Sequence, residues 1–166
     1  MTGRRLVCHA RVMICDLPLS GGCNCGEVRY QITQPVLTAY ICHCHLCQKR
    51  TGSAFSMSIV VPAGGFQVVN GLPARTERQL ENGGRNVSHV CPACHSRTHT
   101  QREGRATVNV RAGTLDDTGW IRPVAQFWTD SAQPWAIVRD DILSYAGQPT
   151  DFAPLLAAWR DLQAPK

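Results

Sequence analysis

The sequence predicts a mainly β domain stapled by metal, with short helices and one helix near its C-terminal end. Three observations carry that prediction. Apolar and polar residues alternate with period two along several segments, Gly- and Asn-containing pairs punctuate them, and seven of the nine cysteines fall into three tight clusters. The clusters are Cys23-Asn24-Cys25, Cys42-His43-Cys44-His45-Leu46-Cys47 and Cys91-Pro92-Ala93-Cys94. Alternation places one set of side chains on each face of a strand. Short cysteine spacings separated by long intervals suit a thiolate metal site, because one turn presents two or three sulfurs and a distant turn closes the shell.

Taken in chain order, Glu27 to Ile32, Ala54 to Val60 and Ala106 to Val110 alternate as strands do, and Phe66 to Val69 and Val124 to Trp128 are further strand candidates. Gly64-Gly65, Asn70-Gly71, Asn82-Gly83-Gly84 and Gly147-Gln148-Pro149 read as turns between them. His45 to Arg50 has room for one or two helical turns ending at Thr51-Gly52, and Trp135 to Val138 for a short turn. Pro154 to Leu162 is the convincing helix, with a proline at its start and Leu155, Leu156, Trp159 and Leu162 at helical spacing.

A chain of 166 residues fits one domain with a real core. We read residues 17–166 as that zinc domain and residues 1–16 as an N-terminal extension, disordered or packed as an accessory arm, with Met13 as an alternative start. No apolar run approaches the roughly 20 residues of a membrane helix. Arg4 and Arg5 resemble a signal-peptide n-region, but His9 and Arg11 break the adjoining stretch before an apolar run forms. The expected location is therefore the cytoplasm, where thiols stay reduced. The formal net charge is +5; seven thiolates holding two Zn²⁺ would lower it to about +2. The basic residues are also dispersed, so nucleic acid is not the expected partner. Cys8 and Cys15 lie outside the clusters and are read as ordinary free cysteines.

Two pairings of the clusters are open. Joining Cys23 and Cys25 to Cys91 and Cys94 gives a closed Cys₄ structural site and leaves Cys42, Cys44 and Cys47 as a Cys₃ site. The rival joins Cys91 and Cys94 to two of the middle cysteines and orphans Cys23 and Cys25. The first is preferred because it uses all seven. A zinc on three thiolates has one position for an exogenous soft ligand, and a substrate thiol is the natural candidate. His43 or His45 could instead close the shell, although adjacent residues rarely ligate one ion together.

Gly21 to Tyr30 around the first pair, the Cys-x-Cys-x-x-Cys run followed by Thr51-Gly52-Ser53-Ala54-Phe55, the Cys91-Pro92-Ala93-Cys94 knuckle, Ala112 to Asp117, Pro123 and Pro134-Trp135 carry a resemblance. Their order is similar to that of the glutathione-dependent formaldehyde-activating enzyme (GFA) family, which includes the centromere protein V branch. The resemblance runs from about Leu17 to Gly147 and implies a Mss4-like β fold with two Zn²⁺. It puts the structural ion on Cys23, Cys25, Cys91 and Cys94, and the catalytic ion on Cys42, Cys44 and Cys47. It also implies a carbon–sulfur lyase that adds a small-molecule thiol such as glutathione to formaldehyde. Gln48 to Thr51 stands where strict synthases carry a Trp-Lys-Pro-like stretch, which places the chain in the broad family. His95 follows the knuckle where glycine is usual, and Gln126 stands where relatives often carry His.

Lys49 and Arg50, beside the triplet, are candidates to meet glutathione's carboxylates. His43 and His45 are expected to face solvent, as are His89, His95 and His99 on a strand-like run. Asp116 and Asp117 are expected to tie their own turn, and the four tryptophans to sit mostly in the core, with one near the mouth of the site. The alternative to an enzyme is a non-enzymatic zinc-binding module for protein or nucleic-acid interaction. Its discriminator is a fourth protein side chain on the Cys42/Cys44/Cys47 site.

Overall fold

Strands dominate, as the alternation requires. The computed structural model describes residues 16–80 and 83–164, and the expectations placed on residues 1–15, including Cys8 and Cys15, lie outside them. In chain order the strands are β1 Leu19–Gly22, β2 Arg29–Ile32, β3 Thr38–Cys42, β4 Ser56–Pro62, β5 Phe66–Asn70, β6 Ala74–Gln79, β7 Arg85–Val90, β8 Arg97–Arg102, β9 Thr107–Arg111, β10 Ala125–Phe127 and β11 Leu143–Tyr145. Two α-helices accompany them, α1 His45–Thr51 and α2 Ala153–Gln163. Each predicted strand and helix is present, shifted by at most a few residues.

Eight strands form one sheet in the order β11-β10-β3-β4-β9-β8-β7-β6, and three form another in the order β1-β2-β5. Neighbours are antiparallel except β10, which runs parallel to both β3 and β11. The two faces of the large sheet differ in chemistry. Ala39, Ile59, Val61, Val108 and Val110 line one face and pack with Tyr30 and Ile32 of β2 and Trp159 of α2 to make the main core. The alternate residues point the other way. Across β3, β4 and β9 these are Tyr40, Ser58 and Arg111 in register, with Cys42 opposite Ser56 and Asn109 opposite Thr100. That second face is polar and becomes the floor of a cleft.

A bulge in β8 decides the face of Arg97. Val90 pairs with Arg97, and its neighbour His89 pairs with His99, so Thr98 is the extra residue. Adjacent Val90 and His89 point to opposite faces, and the bulge makes Arg97 and His99, two apart, do the same. Arg97 joins the polar face. His99 turns to the core side, is only 5% exposed, and packs on Phe66 at 4.4 Å and on His89 at 4.1 Å between ring centroids. The expectation of a solvent-facing His99 is thus corrected, because His99 pairs with Val110, on the face that packs into the core.

In α2, Leu155 and Trp159 are buried, and the Trp159 Nε1–H donates to the Val36 carbonyl at 2.9 Å. Leu162 is exposed, so the buried stripe ends a turn before the apolar spacing does. Trp120 joins Trp159 in the core, while Trp128 and Trp135 are exposed. Asp117 ties its own turn by accepting from Gly119 N–H at 2.9 Å, whereas Asp116 pairs with Arg29 of β2. Among the described residues no helix is long and apolar enough to cross a membrane.

Candidate metal centres and the cleft beside them

Cys23 directly follows β1, Cys25 lies in the turn into β2, and Cys91 and Cys94 sit in the turn between β7 and β8. Their four sulfurs all lie within 4.8 Å of one another. Cys23 to Cys25 is 3.5 Å and Cys25 to Cys91 is 3.7 Å. A tetrahedral zinc with bonds of about 2.3 Å sets its sulfurs about 3.8 Å apart, so the group fits that ion. The knuckle is closed by Cys91 N–H donating to the Ser96 carbonyl at 2.9 Å and His95 N–H donating to the Cys91 carbonyl at 3.0 Å. His95 takes φ 60°, the left-handed conformation that explains why glycine is usual there. Val28 N–H donates to the Cys23 sulfur at 3.2 Å. Ser96 holds the half-buried Cys94 thiol down at about 5.

Cys42 ends β3, Cys44 is the N-cap of α1, and Cys47 lies in the first turn of that helix. These three sulfurs are likewise within 4.8 Å of one another, and Cys47 N–H donates to the Cys44 sulfur at 3.4 Å. Hydrogen bonds from the Cys42 and Cys44 thiols hold Cys47 far below the ordinary thiol range, helped by Ser56 and Arg111. Cys42, donating to its two neighbours and buried, is pushed up. One negative charge is thus favoured among three sulfurs, and a second and third require a cation. Among the described residues no His, Asp or Glu joins this group. The preferred pairing, four and three, is the one that the fold brings together.

The two histidines of the middle cluster behave differently. His45 is exposed on α1, as expected. His43 is 1% exposed, which corrects the expectation of a solvent-facing ring; alternation on leaving β3 turns it away from Cys42 and against Phe55, at 5.6 Å. Neither of its ring nitrogens has a hydrogen-bond partner. Burial holds it below the ordinary imidazole range, an effect that Gln126 partly offsets, so the ring is neutral at pH 7. Gln126 itself is fully buried and is a clamp, donating to Ser144 Oγ at 2.6 Å and accepting from Arg139 N–H at 3.2 Å.

Gln48, which carried no signal in the sequence beyond its position, anchors α1. Its Nε2 donates to the carbonyls of His43 at 2.6 Å and Ser131 at 2.8 Å, and its Oε1 accepts from Gln133 at 2.7 Å. The helix stops at Gly52, in the left-handed region at φ 64°, with its N–H on the Gln48 carbonyl at 2.9 Å.

Cys42, Cys44 and Cys47 line an open cleft of about 460 Å³. Arg50, Arg78, Arg97, Arg102 and Arg111 also line it, together with Trp128. Arg111 donates to Ser56 Oγ at 3.3 Å and Thr100 Oγ1 at 3.1 Å, while its Nε is buried without a partner. Arg50 donates to Ser88 Oγ at 3.2 Å. Burial, then the neighbouring Arg111 and Arg50, pushes Arg97 down to about 10. Lys49 is exposed and does not line the cleft. The arginines other than Arg50 escaped sequence reasoning because they come from separate strands and no local run marks them.

These features define a class: a mainly β protein with a four-sulfur centre that ties two loops and a three-sulfur centre that opens on a cleft. The model of the family described as glutathione-dependent formaldehyde-activating enzyme matches residues 18–131, and the chain belongs to that family. No curated protein matches it. Among solved structures, one similar chain is a Rhodobacter sphaeroides protein from a structural genomics programme. It is 20% identical, with a TM-score of 0.49, over 76% of this chain and 99% of that one.

Proposed function

We propose that the protein is a zinc-dependent carbon–sulfur lyase that forms and cleaves the adduct of a glutathione-like thiol and an aldehyde at Cys42, Cys44 and Cys47. The observation that supports this reading is a group of three cysteine sulfurs within 4.8 Å at the edge of a cleft, with no fourth protein ligand among the described residues. Zinc held by three thiolates lowers the pKa of an added thiol and keeps it as a nucleophile.

The chain's own residues do the rest. Cys44 and Cys47 are fixed by the first turn of α1, and Gln48 ties that helix to the loop after β10. The polar cleft admits the thiol and aldehyde together, which lowers the entropic cost of their meeting. In the forward direction a carbon–sulfur bond forms, the carbonyl π pair moves to oxygen, and that oxygen takes a proton equivalent to the one the thiol gave up. The reverse restores both reactants. Arg50, which lines the cleft, is proposed to meet carboxylates of the thiol, and the exposed Lys49 beside it in sequence is proposed to reach them from outside that lining. Cys23, Cys25, Cys91 and Cys94 are proposed to hold a structural zinc within a domain spanning residues 17–166, in a reducing compartment such as the cytoplasm.

The test is titration of the cobalt-substituted protein with glutathione, with and without formaldehyde. The expected result is a shift of the thiolate-to-cobalt charge-transfer bands on adding thiol, followed by adduct detected by NMR. A spectrum unchanged by glutathione and by every other small thiol, with no acceleration of adduct formation, would refute the lyase reading and favour a zinc-binding interaction module.

A further inference from the structure

Five arginines in one cleft, with no carboxylate among its described lining residues, call for a ligand that supplies the missing charge. Arg78, Arg97 and Arg102 have no hydrogen-bond or ion-pair partner among the described residues, and no described Asp or Glu lines the cleft. By contrast, Arg75 and Arg85 on the far side of the same hairpin pair with Glu77, and Arg85 also with Glu103. Among the described residues, the acids that pair with arginines in this part of the sheet are thus on one side. The placement is built by register. Arg78 lies opposite Asn86, Asn86 opposite Arg102, and Thr100 opposite Asn109, so these alternate positions share the face that carries Arg111 and Cys42. The bulge at Thr98 adds Arg97 to them. On the floor, Ser58 Oγ and Arg111 Nε, on directly paired residues, are both buried without a partner. Unpaired buried polar groups are destabilising unless something satisfies them.

We infer that the cleft selects a small thiol substrate bearing two or more negative charges, as carboxylates or a phosphate, and no ammonium group. The inference rests on the thiol–aldehyde reading of the neighbouring three-cysteine centre and sharpens its substrate class. Arginine forks bind carboxylate and phosphate through paired charge-assisted hydrogen bonds. Glutathione offers two carboxylates, but its ammonium would enter a cleft whose described lining holds cations and no acid. The cleft's volume of about 460 Å³ is that of a small-molecule site, whereas a nucleic-acid backbone is tracked by an extended basic stripe.

The test compares mercaptosuccinate, glutathione, cysteamine and succinate on the metal-loaded protein by calorimetry and on its cobalt form by absorption. Mercaptosuccinate is expected to bind most tightly and to shift the cobalt spectrum. Succinate is expected to bind without that shift, and cysteamine at least 10-fold more weakly than mercaptosuccinate. Arg97→Gln and Arg102→Gln should each weaken mercaptosuccinate and succinate roughly 10-fold or more without lowering Tm, since each removes one of several mutually repelling cations. Arg75→Gln, on the other face, should leave both affinities unchanged.

Equal binding of glutathione or cysteamine with mercaptosuccinate would overturn the inference, as would unchanged affinity in both cleft variants or a lowered Tm with unchanged affinity. A single-stranded oligonucleotide that binds more tightly than mercaptosuccinate and is released by the same variants would overturn it in favour of a nucleic-acid surface. Succinate binding that the cleft variants abolish, with no spectral shift from any thiol, would uphold the anion site and refute the thiol reading. A spectral shift indifferent to thiol charge would do the reverse.

Discussion

Cys44 caps a short helix at the edge of a cleft, whereas Cys91 is fully buried between a strand end and the knuckle turn, so the same change has different consequences at the two. Cys44→Ser should leave a folded protein with about one zinc and no adduct-forming activity, while Cys91→Ser should lose the fold along with its metal. Metal counting by mass spectrometry with circular dichroism on both variants checks this, and equal zinc loss with equal unfolding would contradict the division into four and three. His99 makes a separate prediction. Burial, then His89 and Arg111, lowers its pKa to about 3. In the unfolded chain it titrates near ~6.5. The unfolded state therefore binds more protons between these values, and His99 contributes stability that is complete above pH ~6.5 and lost as pH falls toward 3, by up to ~1.4 kcal/mol per pH unit. His99→Phe, which keeps a ring against Phe66, should flatten the loss between pH 7 and 5 relative to the parent. Parallel pH profiles would remove His99 from the account.

At the scale of elements, α2 is held to the sheet by Leu155 and by the larger Trp159. Trp159 is 1% exposed, meets Trp120 at 6.4 Å and donates to the Val36 carbonyl. Trp159→Ala should cost ~3–5 kcal/mol by denaturant unfolding. A loss under about 1 kcal/mol would mean that the helix is not part of the core's cooperative unit. The knuckle turn offers the opposite sign. His95→Gly should be neutral or stabilising by up to ~1 kcal/mol, because glycine takes the left-handed conformation without a Cβ clash. Several elements were legible: the alternation of β2, β4, β5, β9 and β10, the stop at Gly52, and the stripe of α2 all carry local signals. β6 does not, because every residue of Ala-Arg-Thr-Glu-Arg-Gln is exposed and no apolar face marks it. β3 was equally hidden. Its five residues lie between β10 and β4 with both faces largely covered, and coverage on both faces erases alternation.

Over the whole molecule the two centres differ in what they connect. The four-sulfur centre joins the loop between β1 and β2 of the small sheet to the β7–β8 turn of the large one, whereas the three-sulfur centre lies within one strand end and its following helix. Stepwise chelation should therefore remove one zinc with little change in far-ultraviolet dichroism, and the second only with loss of secondary structure. Simultaneous release of both would contradict the separation. The sequence by itself determined the candidate metal ligands, because two or three thiols on one turn of chain converge whatever the rest does. It also determined the β class and the C-terminal helix, whose periodicities are local. Only the tertiary structure decided which distant cysteines share a centre, that His99 and His43 are buried, and that arginines from scattered positions face one cleft. Those outcomes depend on strand register and on a single bulge, and register is set by pairings between segments far apart in the chain, which no local pattern encodes.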